Sequence, residues 1–410
     1  MTALTQKLAT AALGTVLALA GATAWGQEPI KIGFVGGLSG ACGQITHQEL
    51  SGMKMAVADL NSKGGLLGRQ IDMLVRDGKT RPDDGAKAAR ELTTSDKVVM
   101  LTGMCSSAVL LSTIPVANEA KIPILAAVAN TQKANLEDFS HYFIQTQANA
   151  MQEAAAAAQF VAHHKNWKKV AVAAYDYEWG QTSSKVFTDE LRKLRPDVHI
   201  DAPMYIKLGE SNMTSYITAL MARQPDVIFA VMFGGGLNNL VKQGDGYGLF
   251  KKTDLVTLTT YDFLMSAGSS IPPGKVHGIA RAPFNYLMKN PKAKDFITRY
   301  KAANKTVPTD WAINGYDTIM FWAKAVGAAA STNGDKVIAA SHKITYDGLR
   351  ADGLKVRALD GQMNTPSYVG TINRETGYDF PVLTDVTVIE GDKTMLAPAY
   401  IKKARAAAKK

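Results

Sequence analysis

Ile30-Lys31-Ile32-Gly33-Phe34-Val35-Gly36-Gly37-Leu38-Ser39-Gly40 is the stretch on which the fold turns. Its first half is an apolar run of strand formers, and its second half is a glycine-rich turn. A helical pattern follows, with Leu50, Met53, Val57 and Leu60 at helix spacing, and stops at Gly64-Gly65. Further strands are expected at 70–76, 98–102, 123–126, 169–174, 198–205, 227–232 and 255–259, separated by helices at 83–93, 108–118, 151–164, 182–194 and 212–222. Unbroken alternation of strand and helix predicts parallel sheets covered on both faces by right-handed crossovers, so the fold class is α/β, doubly wound.

A chain of 410 residues accommodates two such lobes. After Pro283 the rhythm changes to two helices, 291–303 and 311–329, and then to a turn-rich stretch over 349–398. The chain is therefore expected to return to the first lobe and cross back later. That gives 28–147 plus 284–353 as lobe one, 148–283 plus 354–400 as lobe two, and 401–410 as a basic tail.

Hydrophobic residues at 46% and charged residues at 20% exclude disorder, and only 2 Cys exclude a disulfide-stapled miniprotein. The formal charge of +10 is concentrated at the ends: Lys402, Lys403, Arg405, Lys409, Lys410 and Lys7 leave the body at about +4. A charge that small predicts no nucleic-acid partner. The short apolar run 13–22 follows Lys7 and ends in Ala22-Thr23-Ala24, the plan of a cleavable export signal over 1–26, cut near Ala24 or Gly26. Periplasmic localisation is expected, and no Cys stands at the cleavage site to carry a lipid anchor.

Motifs for common enzyme chemistry fail. Gly33, Gly36, Gly37 and Gly40 lack the dinucleotide spacing, and no phosphate loop, zinc-protease helix or nucleophile elbow occurs. His163 and His164 are helix neighbours that diverge by about 100° and do not share a metal readily. No enzyme activity, cofactor or metal is expected.

The segments 30–40 (IKIGFVGGLSG), 56–68 (AVADLNSKGGLLG) and 102–107 (TGMCSS) together resemble the leucine/isoleucine/valine-binding protein family, the type I periplasmic binding proteins of ABC importers. The likeness continues through 176–180 and 358–370. It implies two lobes joined by three crossover strands, a monomer, and a small ligand enclosed between the lobes and delivered to an inner-membrane ABC permease.

Ligands of open parallel sheets bind beyond the carboxyl ends of the strands. Ser106 and Ser107 stand at such a point, where hydroxyls, backbone N–H groups and the helix dipole suit a carboxylate; a plain helix cap is the other reading. The resemblance implies that Ser106 contacts the ligand carboxylate. It also marks Val128 and Asn130 as head-group contacts, although Asn130 stands where the family has Thr. Ser39 and Cys42, after the first strand, complete the candidates in this lobe. Tyr175 and Trp179, Phe233, and Tyr261 with Asp262 follow three successive strands of the second lobe. Their rings suit a flat apolar ligand, and an aromatic carboxylate is favoured. Asp262 is the match for an acid that pairs an amino-acid ammonium; Tyr261, one residue away, competes for that place, and if Tyr261 takes it the ammonium partner is lost and an aromatic carboxylate is the better ligand. Cys42 and Cys105 lie in loops after neighbouring strands, so either a disulfide or two buried thiols is open. A bridge departs from the family pairing, because 76–82 holds no Cys.

Overall fold

The computed structural model describes residues 28–408, and the expected leader over 1–26 lies outside the described residues. β1 (Ile30–Gly36) is buried at every position but Lys31. It pairs in parallel with β2 (Ile71–Asp77) on one side and β3 (Leu101–Thr102) on the other, Ile30 facing Ile71 and Gly33 facing Leu101. β4 (Ile124–Ala126) and β5 (Phe143–Gln145) extend the sheet beyond β3.

The chain then crosses at 146–149 into a second parallel sheet. There β6 (Lys169–Tyr175) takes β7 (His199–Ile200) and β8 (Met204–Ile206) along one edge and β9 (Val227–Val231) along the other, followed by β10 (Asp254–Leu258) and β11 (Val276–Ala280). The single strand expected at 198–205 is split because Pro203 has no N–H to give the ladder. A second crossing at 281–283 leads back to the first lobe. β12 (Val356–Arg357) runs antiparallel to β13 (Gln362–Met363), which pairs with β5. A third crossing at 364–366 reaches β14 (Ser367–Asn373) and β15 (Val382–Ile389), antiparallel on the β11 edge. The α/β, two-lobed architecture is thus built from sheets of seven and eight strands. The last crossing falls after Met363, ten residues beyond the expected boundary at 353, because β12 and β13 join the first sheet.

Each sheet has a core on both faces. In the first lobe Ile30, Ile32 and Phe34 pack under the helices Gly43–Ser62 and Asp310–Ala329, while Val35 and Leu101 face the helices Pro82–Thr94 and Ser107–Ala120. The two helices of the first face meet backbone to backbone. A Cβ on Gly52 would collide with the Ala312 carbonyl, and one on Gly315 would stand 2.6 Å from the Glu49 carbonyl oxygen. In the second lobe Val170 and Val172 lie with the helices Ala150–His163 and Glu178–Leu194, and Ala171 and Ala173 with Thr214–Arg223 and Gly234–Gly246. Among the described residues no helix is long and apolar enough to cross a membrane.

Candidate functional site

The carboxyl ends of both parallel sheets open onto one cleft of about 470 Å3 between the lobes. The first lobe supplies Cys105 and Ser107 from the turn after β3, Val128, Asn130, Thr131 and Gln132 from the loop after β4, and Ile45 and Trp311 from the starts of two helices. Tyr177, Glu178 and Trp179 come from the helix start after β6, Phe233 and Leu237 from that after β9, and Asp262 and Phe263 from that after β10. Trp179 is the second residue of its helix, which starts at Glu178, four residues before the expected 182.

Ser107 begins the helix Ser107–Ala120, and the N–H groups of this first turn have no acceptor within the helix. Ser106 is the residue before it, with no capping hydrogen bond from its side chain, and it lies between two residues that line the cleft without lining it itself. Cys42 is joined to Cys105, with Cα atoms 6.3 Å apart, so the bridge ties the loop after β1 to the cleft wall while Cys42 stays outside the lining. Ser39 is exposed and held by its side chain and backbone to Asp77, which draws it to the end of β2 and out of the cleft.

On the opposite wall, Trp179 and Phe233 meet edge to face with centroids 5.8 Å apart. Phe233 remains 49% exposed, an apolar ring open to an incoming ligand. Tyr175 stands behind it, buried, and its hydroxyl donates to the Phe233 carbonyl at 3.0 Å. Tyr175 therefore supports the wall without lining the cleft. The one-residue competition between Tyr261 and Asp262 is resolved by the Thr260 cap, whose side chain accepts from the Phe263 N–H. With the helix so fixed, the Tyr261 ring turns into the core against Phe380 and Phe284, at 4.9 and 6.0 Å, and Asp262 faces the cleft. Trp311 lines the space with Trp179 and Phe233, and Tyr261 does not.

Hydrogen bonds already span the lobes. Gln132 Nε2 donates to Glu178 Oε1 at 2.6 Å, and Gln44 Nε2 to Asp262 Oδ1 at 2.8 Å, with Gln48 Nε2 at 3.4 Å. Burial raises the Asp262 carboxyl above its ordinary value, partly offset by Gln48 and Trp311. Asp310, at the start of the helix that carries Trp311, is pushed up to about 6 by burial, with Arg281 opposing.

Arg281, Trp311 and Gln132 were not found from sequence. Arg281 follows β11, whose Val-His-Gly-Ile-Ala offers no strand alternation. Trp311 had a usable signal, the Thr309 cap that accepts from Ala312 N–H two residues before the helix's apolar run. Among the described residues no group of three or more His, Cys, Asp or Glu is placed to hold a metal.

The periplasmic binding protein family matches residues 29–377. The chain belongs to this family. The Leu/Ile/Val-binding protein of Citrobacter freundii is 22% identical over 226 residues, 54% of this chain and 59% of that protein, so the match spans little more than half of the relative. Among solved structures, an ABC-type branched-chain amino acid transporter protein from Rhodopseudomonas palustris has a TM-score of 0.81 at 23% identity, covering 90% of this chain and 98% of that one. A solute binding protein of an ABC transporter from Rhodopseudomonas palustris, in complex with 3,4-dihydroxy benzoic acid, has a TM-score of 0.76 at 20% identity, covering 88% and 98%. These likenesses are of fold.

Proposed function

We propose that the protein is the periplasmic substrate-binding component of an ABC importer. It captures a small carboxylate with a flat apolar body, favoured as an aromatic carboxylate, by lobe closure and hands it to a membrane permease. The observation that carries the reading is the cleft itself: about 470 Å3 at the facing strand ends, walled by Trp179, Phe233 and Trp311 and met by the open helix start at Ser107. A space of this size suits one small organic molecule. Rings on two sides reward a flat ligand, and first-turn N–H groups donate to a carboxylate. The family match supports the transport role, and the 3,4-dihydroxy benzoic acid bound by a protein of the same fold supports the ligand class. The apolar segment 13–22 supports export; N-terminal sequencing of the exported protein is expected to begin near Trp25 or Gln27.

A second reading, an amino-acid ligand, is favoured by Asp262, whose carboxylate at the cleft suits an ammonium group, and by relatives named for leucine, isoleucine and valine. Thermal unfolding against a ligand panel separates the two. Benzoate-like and phenylpropanoid acids are expected to raise the melting temperature more than leucine or valine. Strong stabilisation by leucine with no response to aromatic acids would establish the second reading in place of the first.

A further inference from the structure

We propose that Arg281 is the specificity-determining residue of the cleft, the group by which it selects an anionic ligand over its neutral analogue. The inference rests on the organic-acid reading above and names the side chain that enforces it. Among the described residues that line the cleft, Arg281 is the one formal cation. Its Nε donates to Glu153 Oε1 at 2.5 Å, and its terminal Nη1 and Nη2 donate to no described protein acceptor. The edge of the guanidinium that suits a carboxylate bidentately is thus left free at a ligand cleft.

The fork is held before any ligand arrives. Its carbon lies over the Trp311 ring, 4.8 Å from the centroid, which packs the group against the cleft wall. Glu153 is 3% exposed, and its second oxygen accepts from Asn130 Nδ2 at 3.1 Å. Asn130 comes from the first lobe, Glu153 from the first turn of a second-lobe helix, and Arg281 from the crossing at 281–283. The Arg281 backbone N–H also donates to Asp310 at 3.3 Å. Acids beside the guanidinium cancel much of its bare charge, so what it offers is a directed pair of donors. Lysine, a point charge on a flexible stem, does not reproduce that. Glu153 and Asn130 act through Arg281 as positioning residues. Because the three come from both lobes and from a crossing between them, a ligand that engages the fork binds beside a segment that joins the lobes.

The test is calorimetric affinity for 3,4-dihydroxybenzoate and for its amide, 3,4-dihydroxybenzamide, which share a ring and differ in the charged end. In the wild type the acid is expected to bind tighter by about tenfold or more, the scale of a hydrogen bond to a charged group. Arg281→Gln is expected to collapse that ratio to near unity while amide binding changes little, and Arg281→Lys to restore only part of it. Should Arg281→Gln fail to fold, Arg281→Lys alone still reads the proposal through the same ratio. An unchanged acid-to-amide ratio in either variant would overturn it and assign selection to the helix start at Ser107. Absence of wild-type binding to both compounds would instead remove the organic-acid reading, and the role of Arg281 with it.

Discussion

Replacing Glu49 by glutamine should make the protein more stable, and the gain should grow with pH. Glu49 lies in the helix Gly43–Ser62, one turn behind Ile45 of the cleft wall, where Gly315 of the neighbouring helix packs against its backbone. It is fully buried, and neither carboxylate oxygen has a described hydrogen-bond partner. Burial pushes its pKa from 4.5 up to about 8. Above the lower value the unfolded chain releases the proton while the folded protein keeps it, so the folded state binds more protons and stability falls as pH rises. At about 1.4 kcal/mol per pKa unit, the wild type loses about 3 kcal/mol at pH 7 relative to strongly acid solution. Less than about 1 kcal/mol of that is lost by pH 5. Glutamine has nearly the same shape and no proton to release. Urea unfolding of both proteins should show the difference in favour of Glu49→Gln widening by roughly 2 to 3 kcal/mol between pH 5 and pH 7. Asp310, also raised, contributes the same sign to both proteins and cancels in the difference. A difference that stays flat across this range would refute the argument, because it would mean that Glu49 is ionised in the folded protein or reaches a partner there.

Three other substitutions or measurements follow from the geometry. Gly52→Ala drives a methyl group into the Ala312 carbonyl and should destabilise the first lobe by about 1 to 3 kcal/mol or more, visible as a lower melting temperature. Trp179→Ala leaves the fold intact, since Trp179 is only half-buried, but removes one aromatic wall. Its expected cost is about 2 kcal/mol of ligand binding, roughly thirtyfold in Kd by titration. Cys42 and Cys105 are joined, so a thiol count on denatured, unreduced protein should find neither free.

The fold was legible where sequence pattern and burial coincide. β1 announces itself because both faces of a central parallel strand are buried, which leaves an almost unbroken apolar run. The helix Gly234–Gly246 does not, because Gly-Gly-Gly-Leu-Asn-Asn is poor helix sequence and only the packing of Leu237, Leu240 and Val241 into the core holds it helical. β5 spans only three residues, too few for a period to show. The site followed the same division. Strand ends pointed to loops whose residues Ser107, Val128, Asn130, Trp179, Phe233 and Asp262 come together at one cleft. Within a loop, however, a one-residue rotation decides what faces the cleft, and this separates Asp262 from Tyr261 and Ser107 from Ser106. Arg281 was hidden for a different reason: its place on a crossing depends on where three distant segments meet, and no local pattern encodes that.

The proposed function requires a ligand with a flat apolar body and a carboxylate, bound between the lobes. The most direct test is a calorimetric titration of the purified protein, freed of carried-over ligand, with 3,4-dihydroxybenzoate, and with leucine for comparison. The predicted result is saturable binding of one acid per chain in the micromolar range, about −8 kcal/mol, with leucine at least tenfold weaker. Saturable binding of leucine with no heat from the aromatic acid would contradict it.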